Sequence, residues 1–167
     1  MKGLEGLERF APGLGELSPE ELVAIQRFTL LWTLFEAQAL GTQASAERIV
    51  DMSSRWERES HLDVRWYEPG FQYFKARYIE EGRTNGRFER LHFNDGRWRD
   101  LTLSTLCGWN DAPSNRLSAS LLIVHRLRNN FFHGTKWAYE LKGQQENFEH
   151  ASQLLEGCLD VVHKLRS

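Results

Sequence analysis

The chain of 167 residues has the length of one domain and is long enough to bury a core without disulfide bridges or structural metals. Its formal charge of −2 and isoelectric point near 6.3 exclude proteins that coat nucleic acid through bulk positive charge, so any contact with nucleic acid must be local. No apolar run is long enough to cross a bilayer, and we expect no membrane partner.

Residues 1–17 predict a flexible leader, and residues 18–167 predict a single domain. The leader lacks the apolar segment and cleavage site of a secretory signal, so we expect a cytoplasmic protein. Cys107 and Cys158 have no CxxC partner and no histidines at zinc spacing, which favours buried, reduced thiols over a bridge or a metal site. The sequence therefore predicts neither a cofactor nor a metal.

The first helix is predicted to begin at Ser18, which is followed by Pro19 and Glu21. A capping hydroxyl, a proline in the first turn and a glutamate three residues after the cap are typical of a helix start. Apolar residues then recur at steps of three and four until Gly41, where the helix is expected to end. Glu36 interrupts this apolar face.

A second amphipathic helix is predicted over residues 45–61, after which the chain becomes aromatic-rich over residues 62–110. The Pro-Gly pair at 69–70 is expected to break the chain before a helical stretch over residues 71–81. Residues 88–93 favour a short strand or an extended loop.

Two long helices are predicted at the end of the chain. The first covers residues 115–133 and is expected to end at Gly134, and the second covers residues 144–165. The whole sequence thus predicts an all-α fold, an up-and-down helical bundle of four to six helices. The aromatic-rich region at 62–110 is expected to form an irregular insert in this bundle.

On a helical wheel of residues 115–133, Arg128 falls inside the apolar sector. A guanidinium that faces a core is costly unless it meets a carboxylate or lines a wetted cleft. We expect Glu36 to be that carboxylate and to contact Arg128. The pair either fixes the register of the two helices or supports a functional site.

Three polar residues lie beside the apolar sector at successive steps of four, His125, Asn129 and His133, with Arg126 nearby. His133 occupies the last turn of the helix, where the carbonyl groups favour a protonated imidazole. A histidine that titrates near neutrality can act as a general acid or base.

An arginine fork can hold a phosphate oxygen and stabilise the charge that accumulates there. Together with a histidine, it suits metal-free cleavage of RNA, in which the 2′-hydroxyl is an internal nucleophile. The alternative is a capped, solvated helix end with one buried ion pair.

The segment from Arg128 to His133, RNNFFH, resembles the R-polar-x-x-x-H motif of HEPN domains. These are all-α bundles found in ribonucleases, toxins and defence proteins. The Gly-Thr-Lys sequence at 134–136, the closing helix and the FTLLWTLFEA segment of the first helix are also similar to HEPN proteins.

The resemblance implies a metal-independent endoribonuclease, usually a homodimer whose two motifs face each other across a composite site. It implies that Arg128 contacts the scissile phosphate, that His133 transfers the proton and that Asn129 orients them or binds RNA. The supporting residues are Glu36, His125, Arg126 and Lys136. Lys136 can reach a phosphate or lie on the surface.

HEPN proteins often act in toxin–antitoxin systems or in defence against phage, held in check by a partner protein. We expect no second domain of that kind in this protein, so the resemblance implies that an antitoxin is encoded separately. Some members are inactive, and the alternative is a HEPN-like module that binds RNA or nucleotide or that mediates dimer formation.

Residues 83–99 interleave basic and aromatic side chains and can bind a single strand through phosphate contacts and base stacking. The same pattern is typical of a solvated loop whose aromatic residues pack against the bundle. The arginines of this segment are Arg83, Arg87, Arg90, Arg97 and Arg99.

Overall fold

The computed structural model describes Gly6, residues 14–133 and residues 141–167, with the backbone alone at residues 132 and 133. Within these ranges the protein is an all-α helical bundle, as predicted. Over the described residues it has seven α-helices, where four to six were predicted, and one two-stranded antiparallel ribbon. The elements are α1 (Pro19–Ala39), α2 (Ala46–Arg58), α3 (Val64–Tyr78), β1 (Ile79–Glu80), β2 (Arg83–Thr84), α4 (Gly86–Glu89), α5 (Gly96–Leu106), α6 (Pro113–His133) and α7 (Gln145–Arg166).

The predicted start of α1 is confirmed. The Ser18 hydroxyl accepts a hydrogen bond from the amide of Glu21 at 3.1 Å, and the Glu21 carboxylate accepts one from the amide of Ser18 at 2.9 Å. Ordered structure begins earlier than the sequence predicts, because residues 14–16 form a short 3-10 helix and Leu17 is buried.

The long helices pack around a shared hydrophobic core. Helix α1 packs along α7, α6 packs against both α2 and α5, and α3 contacts α6 and α7. Phe28 of α1 meets Phe148 of α7 at 5.1 Å between ring centroids, and Phe148 also meets Phe131 of α6 at 6.2 Å. These contacts join the first, sixth and seventh helices.

The region at 62–110 is more regular than the sequence predicts. Pro69 lies inside α3 instead of breaking the chain before residue 71. Because proline has no amide hydrogen, the helix lacks the hydrogen bond from residue 69 to the carbonyl of residue 65. A Cβ atom at Gly70 would lie 3.8 Å from a methyl group of Leu154, so α3 passes close to α7 just after the proline.

Residues 88–93 do not form the predicted strand or extended loop, because the segment begins in a helical turn. Phe88 lies in α4, whose first turn is capped by the Asn85 side chain, and its ring is 1% exposed. The ribbon lies earlier in the chain and pairs Ile79 with Thr84. Burial of Phe88 pulls this segment onto the bundle in a helical turn.

Helix α6 begins at Pro113, two residues before the predicted start. Its apolar sector is buried as predicted, with Leu117, Leu121 and Val124 fully inaccessible. Cys158 of α7 is also buried, whereas Cys107 is half-buried, and both are free thiols. Among the described residues, no helix is both long and apolar enough to cross a membrane.

Candidate functional site

Arg128 of α6 and Glu36 of α1 are in contact, as the sequence predicts. Nη2 of Arg128 lies 3.9 Å from Oε2 of Glu36. The two side chains are 29% and 26% exposed, so the pair lies at the edge of the core and is accessible from outside. This geometry keeps a charged guanidinium beside a carboxylate without full desolvation of either group.

Trp32 holds the carboxylate of this pair. Its indole Nε1 donates a hydrogen bond to Oε2 of Glu36 at 3.0 Å, and Cζ of Arg128 lies 5.9 Å from the centroid of its ring. The other carboxylate oxygen of Glu36 accepts a hydrogen bond from the amide of Ala44 at 3.3 Å. Trp32 is only 2% exposed, so packing holds its indole ring in place beneath the guanidinium of Arg128.

Trp32 was not among the residues predicted for the site. One signal was available, since Trp32 precedes Glu36 by four residues and the two side chains share a helix face. The sequence does not show which residue of another helix lies over the indole ring.

Asn129 joins Arg128 to His125. Its side-chain oxygen accepts a hydrogen bond from Nη1 of Arg128 at 3.1 Å, and its side-chain nitrogen lies 3.1 Å from Nε2 of His125. Because the amide nitrogen can only donate, this arrangement makes Nε2 the acceptor and places the imidazole proton on Nδ1. The contact between His125 and Asn129 confirms part of the predicted polar row.

His125 is held in its neutral form. Burial lowers the pKa of its imidazole to about 4, and the positive charges of Arg126 and Arg128 act in the same direction, while Glu36 opposes them. The imidazole also stacks on Trp32, with ring centroids 5.7 Å apart and planes within 9°. Near neutral pH, His125 is therefore a fixed hydrogen-bond acceptor and cannot donate a proton as a general acid.

Arg126 was predicted to support the site, but its side chain binds the backbone at Leu91, which is distant in sequence. Its Nε donates to the carbonyl of Leu91 at 2.9 Å, and its Nη2 donates to Oδ1 of Asn130 at 3.3 Å. The side-chain nitrogen of Asn130 donates to the carbonyls of Arg90 and Leu91 at 3.1 and 3.2 Å. Burial lowers the pKa of the Arg126 guanidinium.

Asn130 was not among the residues predicted for the site. Side chains of consecutive residues point about 100° apart on a helix. This spacing alone indicates that Asn129 and Asn130 have different partners. Asn129 contacts the Arg128 site, whereas Asn130 binds the turn at residues 90–91.

The side chain of His133 and the whole of Lys136 lie outside the described residues. The backbone at position 133 is helical and follows Asn129 by four residues and Asn130 by three. Position 133 therefore falls on the helix face between these two asparagines. The catalytic assignments of Arg128, Asn129 and His133 remain predictions.

Within the described ranges, no group of three or more histidine, cysteine, aspartate or glutamate side chains could hold a metal ion. No protein-family model, curated protein or solved structure matches the chain.

Proposed function

We propose that the protein is a metal-independent endoribonuclease of HEPN type. The observation that supports this best is the positioned guanidinium of Arg128, which Glu36 and Asn129 orient while 29% of its side chain stays exposed. A held but accessible guanidinium can bind a phosphate bidentately and stabilise its developing charge. Position 133 lies on the same helix, a little more than one turn further on.

The proposed reaction is an internal displacement at phosphorus. His133 takes the proton of the 2′-hydroxyl, the 2′-oxygen bonds to phosphorus, and the bond from phosphorus to the 5′-oxygen breaks. The leaving 5′-oxygen takes a proton from a solvent water, and His133 returns its proton to the solvent, so the products are a 2′,3′-cyclic phosphate and a free 5′-hydroxyl. Arg128 binds the non-bridging oxygens, and Asn129 keeps Arg128 in place.

The resemblance extends this proposal to a homodimer in which a second copy supplies the facing motif. We further propose that the protein acts in a toxin–antitoxin or phage-defence system, with a separately encoded antitoxin as its inhibitor. A mass measurement in solution tests the dimer, because the expected particle has twice the 19.5 kDa mass of the chain.

The function is tested by incubating purified protein with a labelled RNA in excess EDTA. We expect cleavage that leaves cyclic phosphate ends, and we expect His133→Ala to abolish it while the circular dichroism spectrum and the melting temperature stay unchanged. His163→Ala is the matched control, since His163 is exposed near the end of α7. Equal cleavage by wild type and His133→Ala would contradict the proposal.

A second candidate is a catalytically silent module that binds RNA or nucleotide or mediates dimer formation. The observation in its favour is that Arg128 already contacts Glu36, Asn129 and the Trp32 ring, as an arginine in a structural ion pair does. This candidate predicts that Arg128→Ala lowers stability and that wild-type protein binds RNA without cutting it.

A further inference from the structure

The turn at residues 90–91 is fixed to α6 by side chains from the motif helix. Arg126 and Asn130 together donate three hydrogen bonds to the carbonyls of Arg90 and Leu91, all between 2.9 and 3.2 Å. Leu91 is 2% exposed and anchors the same turn in the core. The segment is therefore held rigidly on one face of α6.

This face of α6 is also the one that carries position 133. Asn130 precedes position 133 by three residues and Arg126 precedes it by seven, and both spacings return to the same side of a helix. The fixed turn consequently lies beside the end of α6 to which the proposed chemistry is assigned. The opposite end of α6 faces α2, where Ser114 donates to Glu57.

The segment that contains this turn is locally positive on a chain of net charge −2. Residues 83–99 contain five arginines against Glu89 and Asp95. Two of the arginines are engaged, since Arg99 pairs with Glu89 at 2.9 Å and Arg97 lies 4.4 Å from the centroid of the Trp98 ring.

The other three arginines of the segment, Arg83, Arg87 and Arg90, are exposed and form no ion pair with any residue that the structure describes. Arg87 lies in α4 and Arg90 is the C-cap residue, still in helical conformation, so the two residues share a face. Between them, Phe88 points into the core and fixes the turn that presents them. We call these three residues the arginine surface.

We propose that the arginine surface binds the phosphates of single-stranded RNA beside the cleaved bond. This inference rests on the proposed ribonuclease function and adds the residues that hold the substrate strand. Exposed guanidinium groups are suited to this task, since each can form a bidentate pair with a phosphate. Three guanidinium groups can bind only a few phosphates of one strand.

The test uses RNA whose riboses are all 2′-O-methylated, because blocking the nucleophile prevents cleavage. Its affinity is measured by fluorescence anisotropy over a series of salt concentrations, for wild type and for the triple variant Arg83→Ala, Arg87→Ala, Arg90→Ala. For single strands, each lost phosphate contact makes the slope of log affinity against log salt shallower by about 0.7. We expect a slope shallower by about 2 and binding at least about tenfold weaker near 0.1 M salt.

The matched control is the triple variant Arg55→Ala, Arg58→Ala, Lys164→Ala, which removes three exposed positive charges from α2 and α7. It changes the net charge equally, so we expect its slope to stay close to that of wild type. Both triple variants should keep the wild-type melting temperature, because the substituted side chains are exposed.

Three results would each contradict the proposal for the arginine surface. They are equal losses of affinity in the two triple variants, an unchanged salt slope in the first triple variant, and no RNA binding by wild type. If wild type cleaves unmodified RNA but the first triple variant binds normally, the surface is wrong while the ribonuclease proposal stands. If the variant loses binding but wild type never cleaves RNA, the surface stands and the ribonuclease proposal fails.

Discussion

Glu36 of α1 and Arg128 of α6 bring a carboxylate oxygen and a guanidinium nitrogen to 3.9 Å across two helices. The carboxylate has two further partners, the indole of Trp32 and the amide of Ala44. Glu36 thus links the start of the chain to the motif helix, and its removal affects stability and the orientation of Arg128 together.

We expect Glu36→Ala to lower the free energy of unfolding by about 1–3 kcal/mol, because two hydrogen bonds and an ion pair are lost. The ion pair alone contributes less than about 1 kcal/mol, since both partners are partly exposed. Glu36→Gln keeps an oxygen acceptor and should therefore cost less than Glu36→Ala. Urea denaturation followed by tryptophan fluorescence measures both effects.

Asp51→Ala is the matched control for Glu36, since Asp51 is exposed on α2 and has no side-chain partner among the described residues. It should change stability by less than about 0.5 kcal/mol. An effect of Glu36→Ala no larger than that of Asp51→Ala would show that the carboxylate does not hold Arg128.

The low pKa of His125 predicts a specific dependence of stability on pH. The unfolded chain binds a proton on this residue near pH 6.5, whereas the folded protein binds it only near pH 4. Between these values the unfolded state holds more protons, so the contribution of His125 makes stability fall as the pH drops from about 6.5 to about 4. Above pH 6.5 the imidazole is neutral in both states and contributes no pH dependence.

His125→Gln keeps an acceptor for Asn129 but removes the titration. Urea denaturation at several pH values should therefore give a shallower loss of stability below pH 6.5 for His125→Gln than for wild type. His150, whose pKa is also lowered by burial, is present in both proteins and cancels in the comparison. Parallel curves for the two proteins would show that His125 is not held neutral by the fold.

Asn130 should control the rigidity of the turn at residues 90–91. We expect Asn130→Ala to speed amide hydrogen exchange in residues 88–93 and to cost about 1 kcal/mol, because two carbonyls lose a donor. Asn115→Ala is the control at the other end of α6, where Asn115 donates to Asn110. If exchange in residues 88–93 is the same in both variants, Asn130 does not fix the turn.

Gly157 of α7 lies under the ring of Trp66, which a Cβ atom at this position would overlap. We expect Gly157→Ala to lower the free energy of unfolding by about 1–2 kcal/mol, since the overlap outweighs the better helix propensity of alanine. Thermal or urea denaturation measures the loss.

Gly86→Ala is the matched control, because a Cβ there meets no atom within 4 Å. It should be neutral or stabilise the protein by up to about 1 kcal/mol. Equal free energies of unfolding for the Gly157→Ala and Gly86→Ala proteins would mean that the Trp66 ring can move aside without loss of stability.

The sequence by itself determined the local features of this protein. The helix start at Ser18 and the buried sector of α6 follow from capping and periodicity, which act over a few residues. The contact between Glu36 and Arg128 was also predictable, because each charge interrupts an apolar face and a buried charge requires a counter-ion.

The tertiary structure decided the contacts between distant segments. The helical state of Pro69 and Phe88 depends on packing against the bundle, which overrides local propensity. The placement of Trp32 beneath Arg128, and of Asn130 against the turn at residues 90–91, depends on how helices far apart in sequence meet. Residue spacing fixes the face of a helix on which a side chain lies, but only packing selects what it contacts.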